Sequence, residues 1–328
     1  MRTIERNSTL VTCSSTNVIL QMPRGNLETI TPRLIALYEI KKQVHLENYN
    51  TAFALCRKHK INLNFIYDIN PSSFISNINT FISKVSKPEY INLFINSLDN
   101  SICEEYQILF NKHNDNDNKV NHICELIRNR LLLVDNNEQY INSILITYTK
   151  QTPPLYLDAL KLVQRLKIEN NNAKADKALE FLCWIVNANT LFDFALKTYD
   201  FELVIMCAKH TQKDPKEYLL YLNKLNEIKQ NDIVLMKYQI NIDLKYYEDA
   251  LIELSKGGEK YFDKVINIVN EYHLYDIALE LYNQPLYEKQ YEMIYDCKGN
   301  YYYNNIKDIK QAVVCYIRSK NYQQALKC

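Results

Sequence analysis

The sequence predicts an all-α protein built from helical hairpins, arranged as an irregular α-solenoid, with one short β-hairpin at its start. Apolar residues recur at a spacing near 3.6 from Thr31 to the last residues, which is typical of helices that bury one face. Only 4 of the 328 residues are glycine, so few positions favour loops or tight turns. A short signature also repeats along the chain, as in proteins made of stacked helix pairs.

The first predicted element is a β-hairpin within residues 1–26. β-branched residues cluster in 9–13 and again in 17–20, on either side of a Ser-Ser-Thr turn. A lone hairpin is marginally stable in water, so its partner strands come from a larger β domain upstream or from the rest of the chain. The helical region is predicted to occupy residues 27–328.

Proline marks three predicted helix starts, because its missing N–H costs nothing in the first turn of a helix. Pro71 opens a segment whose apolar stripe runs to Val85, and Pro88 opens the next. Pro215 follows Asp214, whose carboxylate is a preferred N-cap.

The repeated signature is an aromatic residue, then alanine three positions later, then leucine or phenylalanine. Its five copies begin at Tyr49, Phe192, Tyr247, Tyr275 and Tyr322. The small alanine allows two helices to approach closely while the aromatic ring fills the groove beside it. The copies are unequally spaced, which predicts an array similar to tetratricopeptide repeats but without a fixed period. A compact helical domain is the alternative.

Two stretches, near 111–120 and 169–176, are rich in asparagine and predict mobile loops within the helical region. Gly257 and Gly258 indicate a helix end that needs left-handed backbone. Because nothing after the last signature covers its apolar face, we expect the array to continue beyond residue 328.

The sequence predicts no catalytic residue, no cofactor site and no metal site. The glycines lack the spacing of a dinucleotide-binding turn, a phosphate-binding loop or a nucleophile elbow. The nine cysteines form no C-x-x-C pair, and neither Cys56/His59 nor His122/Cys124 has a second pair at zinc-site spacing. Asp115-x-Asp117 lacks the glycine and glutamate of a calcium loop. We therefore expect a protein that is not an enzyme.

Charge and hydropathy predict a protein with no membrane partner. The net charge is +1, so no strong overall field favours nucleic acid or an anionic membrane. No apolar run approaches the length of a membrane helix, and the scattered cysteines are typical of reduced thiols packed as small hydrophobic residues. The expected location is the cytoplasm, with the nucleus as an additional one.

One basic cluster is the best candidate for contact with nucleic acid. Arg57, Lys58 and Lys60 lie together at a predicted helix end, where they could bind the phosphates of a nucleic acid. The alternative is a solvated helix terminus, since cations near the C-terminal end of a helix are favoured by its dipole.

Several segments resemble the family of the largest subunits of Elongator, the IKAP-type scaffold proteins. The junction Pro23, Arg24, Gly25, Asn26, Leu27 and Glu28 carries the most specific likeness. Further matching segments follow in the same order along the chain: 56–64, 66–68, 91–94, 198–204, 208–219, 254–258 and 274–279.

The resemblance implies that the chain runs from the end of the second WD40 propeller into the helical solenoid, so that residues 1–26 are the last hairpin of the propeller. It also implies a non-catalytic scaffold in the complex that modifies C5 of wobble uridines in tRNA. The implied partners are the other Elongator subunits, including the catalytic radical-SAM/acetyltransferase subunit, with tRNA bound by the whole complex. Full-length members form homodimers through later helices, so we do not expect this segment alone to dimerise.

Two other functions remain open at this stage. A clathrin-like or coatomer-like coat or tethering subunit also joins a propeller to an irregular solenoid. An RNA-binding helical-repeat protein is the third reading, and it would need a basic concave face.

Overall fold

A computed structural model describes residues 4–101, 118–134, 137–169, 172–211, 213–283 and 285–328. The chain divides into two compact units, the first ending at Ile185 and the second beginning at Val186. No helix in the described residues is both long and apolar enough to cross a membrane.

The first unit opens with a three-stranded antiparallel sheet in the order β1-β2-β3, formed by Thr9–Cys13, Val18–Gln21 and Leu27–Ile30. The pairing shifts register between Leu10 and Thr12, so one residue of β1 is left over as a bulge. The predicted hairpin is therefore present as β1 and β2.

The predicted boundary between residues 26 and 27 is wrong, because it falls inside this sheet. β3 pairs with β2 from Leu27 to Ile30, and the first helix begins only at Arg33. The signal missed was the Pro-Arg-Gly turn, which returns the chain to the sheet rather than leading it into a helix.

Ten helices, α1 to α10 in chain order, complete the described part of the first unit: Arg33–His45, Tyr49–His59, Asn64–Ile69, Pro71–Ser76, Ile78–Val85, Pro88–Ser97, Lys119–Leu132, Ile141–Lys150, Tyr156–Ile168 and Asn172–Ile185. Their core is rich in aromatic rings. The rings of Tyr49 and Phe81 meet edge to face with their centres 5.5 Å apart, and the ring centres of Phe81 and Phe94 are 4.8 Å apart. All three side chains are fully buried. Such rings bury large apolar areas and fix the angles at which the helices pack.

Two predicted features of the first unit differ in the structure. The single apolar segment from Pro71 to Val85 is two helices, because Asn77 leaves the helical region at ψ 19° and its amide donates to Glu47 at 2.9 Å. The loop predicted at 169–176 is wrong from Asn172 onward, where α10 begins. Alanine at three of the next six positions favours a helix there.

The first predicted loop, near 111–120, lies largely outside the described residues. Helix α7 begins at Lys119, so the loop prediction is wrong for its last two positions. A buried ion pair accounts for this early start: Lys119 Nζ lies 2.5 Å from Asp68 Oδ1, with both side chains almost fully covered. Asn64 donates a further hydrogen bond to the same carboxylate.

The second unit is helical throughout its described residues. Its helices, α11 to α20, are Ala188–Leu196, Phe201–Ala208, Pro215–Asn231, Ile233–Asp243, Tyr247–Ser255, Phe262–Tyr272, Tyr275–Leu281, Glu288–Tyr301, Ile309–Arg318 and Tyr322–Lys327, with a π-helical turn at Tyr302–Ile306. The N-cap predicted at Asp214 is confirmed, since its carboxylate accepts the Lys216 N–H at 2.8 Å. The glycine pair follows the end of α15 as predicted, and it is Gly258 that takes the left-handed conformation, with φ +61°.

The repeated signature marks buried helix contacts in four of its five copies. The alanines Ala52, Ala195, Ala250 and Ala278 have no exposed surface. The fifth copy differs: Tyr322 is 60% and Leu326 88% exposed. The signature therefore marks a buried helix contact in the first four copies and not in the last one.

Candidate phosphate-contacting surface

The three predicted basic residues lie at the C-terminal end of α2. Arg57 and Lys58 are exposed in its last turn, and Lys60 caps the helix in a left-handed conformation with φ 53°. The next N–H, of Ile61, donates to the Cys56 carbonyl at 2.9 Å and closes the helix end. The cations thus lie beside the partly negative end of the helix, as is also expected of a solvated helix terminus.

The structure adds an aromatic residue and a fourth cation to this cluster. The Arg57 guanidinium lies 4.7 Å from the centre of the Tyr90 ring, and Lys87 Nζ lies 5.4 Å from the same ring. The Tyr90 ring in turn stacks on buried Phe53, with the ring centres 5.1 Å apart. Arg57 thus contacts the start of α6, and we call this group, together with the two lysines that neighbour Arg57 in the chain, the Tyr90 surface: Arg57, Lys58, Lys60, Lys87 and Tyr90.

The positive charge of the Tyr90 surface is only partly used inside the protein. Within the described residues, the side chains of Lys58 and Lys60 form no hydrogen bond or ion pair. His59 does not add to the charge, because burial and the adjacent Lys58 lower its pKa. Its Nε2 is buried without a partner among those residues.

This arrangement suits contact with a phosphate backbone. Lysine and arginine position a nucleic acid through its phosphates, and the Tyr90 ring, stacked on Phe53, supports the Arg57 guanidinium. Sequence reasoning missed Lys87 and Tyr90 because Lys87-Pro88 was interpreted only as a helix start. Their spacing of one helical turn beside that proline was the available signal.

The six junction residues form a turn and the first half of a strand. The Met22 carbonyl accepts the Gly25 N–H at 2.8 Å, and the Met22 N–H donates to the Asn26 carbonyl at 2.8 Å. Pro23 sits where its fixed φ suits a turn, and Gly25 takes φ +87°, a conformation that other residues adopt with strain. Leu27 and Glu28 begin β3. The junction is thus a hairpin turn, separate in the fold from the basic residues on α2.

The pairs Cys56/His59 and His122/Cys124 do not form a nucleophilic site. Cys56 and Cys124 are fully buried, and burial raises the pKa of each thiol to about 12. Such thiols stay protonated and unreactive at neutral pH. Among the described residues, no three acidic, histidine or cysteine side chains are grouped so as to hold a metal ion.

Comparison with known proteins gives a family. Residues 33–225 match the sequence model of the ELP1 alpha-solenoid. The chain belongs to the Elongator complex protein 1 family. It is 35% identical to a putative elongator complex protein 1 of Xenopus laevis over 99% of this chain and 29% of the relative. It is 36% identical to that of Mus musculus over 88% of the chain, and 32% identical to that of Saccharomyces cerevisiae over 99%.

This membership of the Elongator complex protein 1 family confirms the resemblance seen in the sequence and the α-solenoid fold class. The matched range contains every residue of the Tyr90 surface. The chain spans between about a fifth and a third of the length of these relatives, 22% of the mouse protein and 27% of the yeast protein.

Proposed function

We propose that this chain is part of a non-catalytic scaffold subunit of Elongator, which supports C5 modification of wobble uridine in tRNA by positioning the catalytic subunit and the tRNA. The observation that carries the proposal is the match to the Elongator complex protein 1 family along nearly the whole chain. Stacked helix pairs bury one face against their neighbours and leave the other for partners, which suits assembly.

The proposed partners are the other Elongator subunits, including the radical-SAM/acetyltransferase subunit. The test is affinity purification of the full-length gene product followed by mass spectrometry. Co-purification of the Elongator subunits in fixed ratios is the expected result. Recovery of vesicle-coat subunits in their place would contradict the proposal.

Within this scaffold, we propose that the Tyr90 surface contacts the tRNA backbone. Arg57, Lys58 and Lys60 supply the phosphate contacts, Lys87 adds a fourth cation, and the Tyr90 ring holds the Arg57 guanidinium in place. Membership of the subunit in the complex does not depend on this contact.

The test is the triple charge reversal Arg57→Glu, Lys58→Glu and Lys60→Glu in the full-length subunit within purified Elongator. We expect tRNA affinity to fall by more than about tenfold near 0.15 M salt, and the slope of log K against log salt to become shallower by about one for each lost phosphate contact. Subunit composition should be unchanged.

The matched control reverses three exposed lysines outside the surface, Lys177, Lys216 and Lys224, and so changes the net charge equally. If both triple variants weaken tRNA binding to the same extent, the effect is one of overall charge and the surface is only a solvated helix end.

A further inference from the structure

A cavity of about 360 Å³ in the second unit is unrelated to the Tyr90 surface. It lies between α11, the start of α13 and the end of α14. Three aromatic rings line it, those of Phe192, Tyr218 and Tyr221. Phe192 is almost fully buried, and it meets the half-buried Tyr218 edge to face with the ring centres 6.5 Å apart.

Three carboxylates, from Asp193, Glu217 and Asp243, lie among the same lining residues, against a single cation, Lys213. Three negative charges and one positive charge leave the lining at −2 near neutral pH. Glu217 and Asp243 have no cationic partner among the described residues. The cavity therefore combines aromatic faces with uncompensated negative charge.

Neutral donors hold the Asp243 carboxylate in place. The Tyr221 hydroxyl donates to Oδ2 at 2.7 Å, and Gln239 Nε2 donates to Oδ1 at 2.8 Å. Each oxygen keeps a second lone pair for a further donor. Because two residues on different helices fix this carboxylate, its orientation does not depend on a bound ion.

Lys213 shows what kind of group the cavity accepts. Its ammonium lies 3.9 Å from the centre of the Phe192 ring and 3.9 Å from Asp193 Oδ1. The first distance is that of a cation–π contact, while the second is at the outer limit of an ion pair. The Lys213 side chain is 38% exposed, and no contact between it and Tyr221 or Asp243 is present among the described residues.

We propose that this cavity binds a lysine or arginine side chain of a partner protein, with Lys213 as a competing internal cation. Aromatic faces attract cationic side chains, and the carboxylates supply acceptors for their N–H groups. A hard metal ion would instead need converging oxygens without aromatic walls. The proposal goes beyond the scaffold role and does not rest on it.

The first test uses two acetylated and amidated tripeptides, Gly-Arg-Gly and its citrulline analogue, with the 328-residue chain. Citrulline keeps the size and planarity of arginine but carries no charge. Saturation-transfer NMR should show millimolar binding of the arginine peptide and at least about fivefold weaker binding of the citrulline peptide. Absence of binding, or equal binding of both peptides, would overturn the proposal.

The second test separates the internal competitor from overall charge. Lys213→Ala should tighten binding of the arginine peptide by about threefold to tenfold, because it removes a cation that occupies the site. Lys216→Ala changes the net charge equally but does not line the cavity, and it should alter the affinity by less than about twofold. Equal effects of the two variants would overturn the proposal.

The third test changes partly exposed lining residues of the cavity and leaves the buried Phe192 in place. The double variant Glu217→Gln and Asp243→Asn should weaken binding at least about fivefold, whereas the matched pair Glu227→Gln and Asp263→Asn, which lies outside the lining, should not. Tyr218→Leu leaves the charge unchanged and should weaken binding about threefold. Thermal melting of each variant verifies folding, and an unchanged affinity in a folded double variant would overturn the proposal.

Discussion

Five of the non-glycine residues with positive φ end a helix in the same way: Glu47, Lys60, Lys245, His273 and Lys320. In each case the following N–H donates to the carbonyl five residues earlier, as for Tyr246 to Asn241 at 2.8 Å. Four of these residues stand two positions before the aromatic residue of the repeated signature. A side chain in this conformation carries local strain, which glycine lacks.

Lys245→Gly is therefore expected to stabilise the second unit. Lys245 is exposed and has φ 62°, so glycine removes the backbone strain. In the described residues the Lys245 side chain makes no hydrogen bond or ion pair that would be lost. The gain should be about 0.5–1 kcal/mol in the free energy of unfolding, measured by urea denaturation. Lys245→Ala is the matched control, since it removes the charge and keeps the Cβ atom. If alanine stabilises as much as glycine, backbone strain is not the cause.

The burial of the thiols gives a second prediction at this scale. Iodoacetamide at pH 8 should label exposed Cys13 within minutes and leave Cys56 and Cys124 unlabelled in the native protein, because burial raises the pKa of both to about 12. Peptide mapping after labelling distinguishes the sites. In 6 M guanidinium chloride all three should react, and equal labelling in the native protein would contradict the burial described here.

Among the elements, the alanine of the repeated signature sets how closely two helices approach. Ala250 is fully buried in α15, whereas Ala325 stands at the same signature position in α20 and is only half-buried. Ala250→Leu should destabilise by about 1–3 kcal/mol because the packed helices have no room for the larger side chain. Ala325→Leu should remain within about 0.5 kcal/mol of the parent. Similar losses in both variants would show that the signature does not mark packing.

Asp232 links three elements of the second unit and predicts a pH effect. Its carboxylate accepts the Val234 N–H at 2.9 Å at the start of α14, and it also binds Lys260 and the Tyr261 hydroxyl. The Lys260 hydrogen bond, followed by that of Tyr261, lowers the pKa of Asp232. A lowered folded-state pKa means that the carboxylate stabilises the fold above its unfolded pKa of about 3.9, and that this contribution is lost as the pH falls below that value.

Asp232→Asn keeps a helix cap and removes the charge. Urea denaturation should show the parent more stable than this variant at pH 6, with the difference shrinking as the pH falls from about 4 toward 3. The control Asp263→Asn removes an exposed carboxylate that receives no side-chain hydrogen bond in the described residues. It should give a smaller difference at pH 6. A difference for Asp232→Asn that stays constant with pH would contradict the assignment.

The helices could be predicted from the sequence where a local rule decides the structure. The starts at Pro71, Pro88 and Pro215 are confirmed, because proline fits only the first turn of a helix. The boundary near residue 26 depends on the pairing between β2 and β3, of which the sequence carries only the turn at 23–25 as a signal. The same holds for Tyr90 beneath Arg57, since the two residues lie on separate helices. Apolar periodicity shows which face is buried but not which residue lies opposite.

For the molecule as a whole, family membership is the basis of the proposed scaffold role. The family match covers residues 33–225, and the chain corresponds to 29% of the Xenopus relative. A long helical array holds partners through many small contacts, so its loss should disable the complex without altering the catalytic residues of another subunit.

The most direct test is the amount of C5-modified wobble uridine in tRNA, measured by mass spectrometry of nucleosides from cells in which the gene is deleted. We expect near-complete loss of the modification after deletion and its restoration by the full-length gene. A gene lacking the segment 33–328 should not restore it, although the catalytic subunit is still expressed. Unchanged modification after deletion would contradict the account.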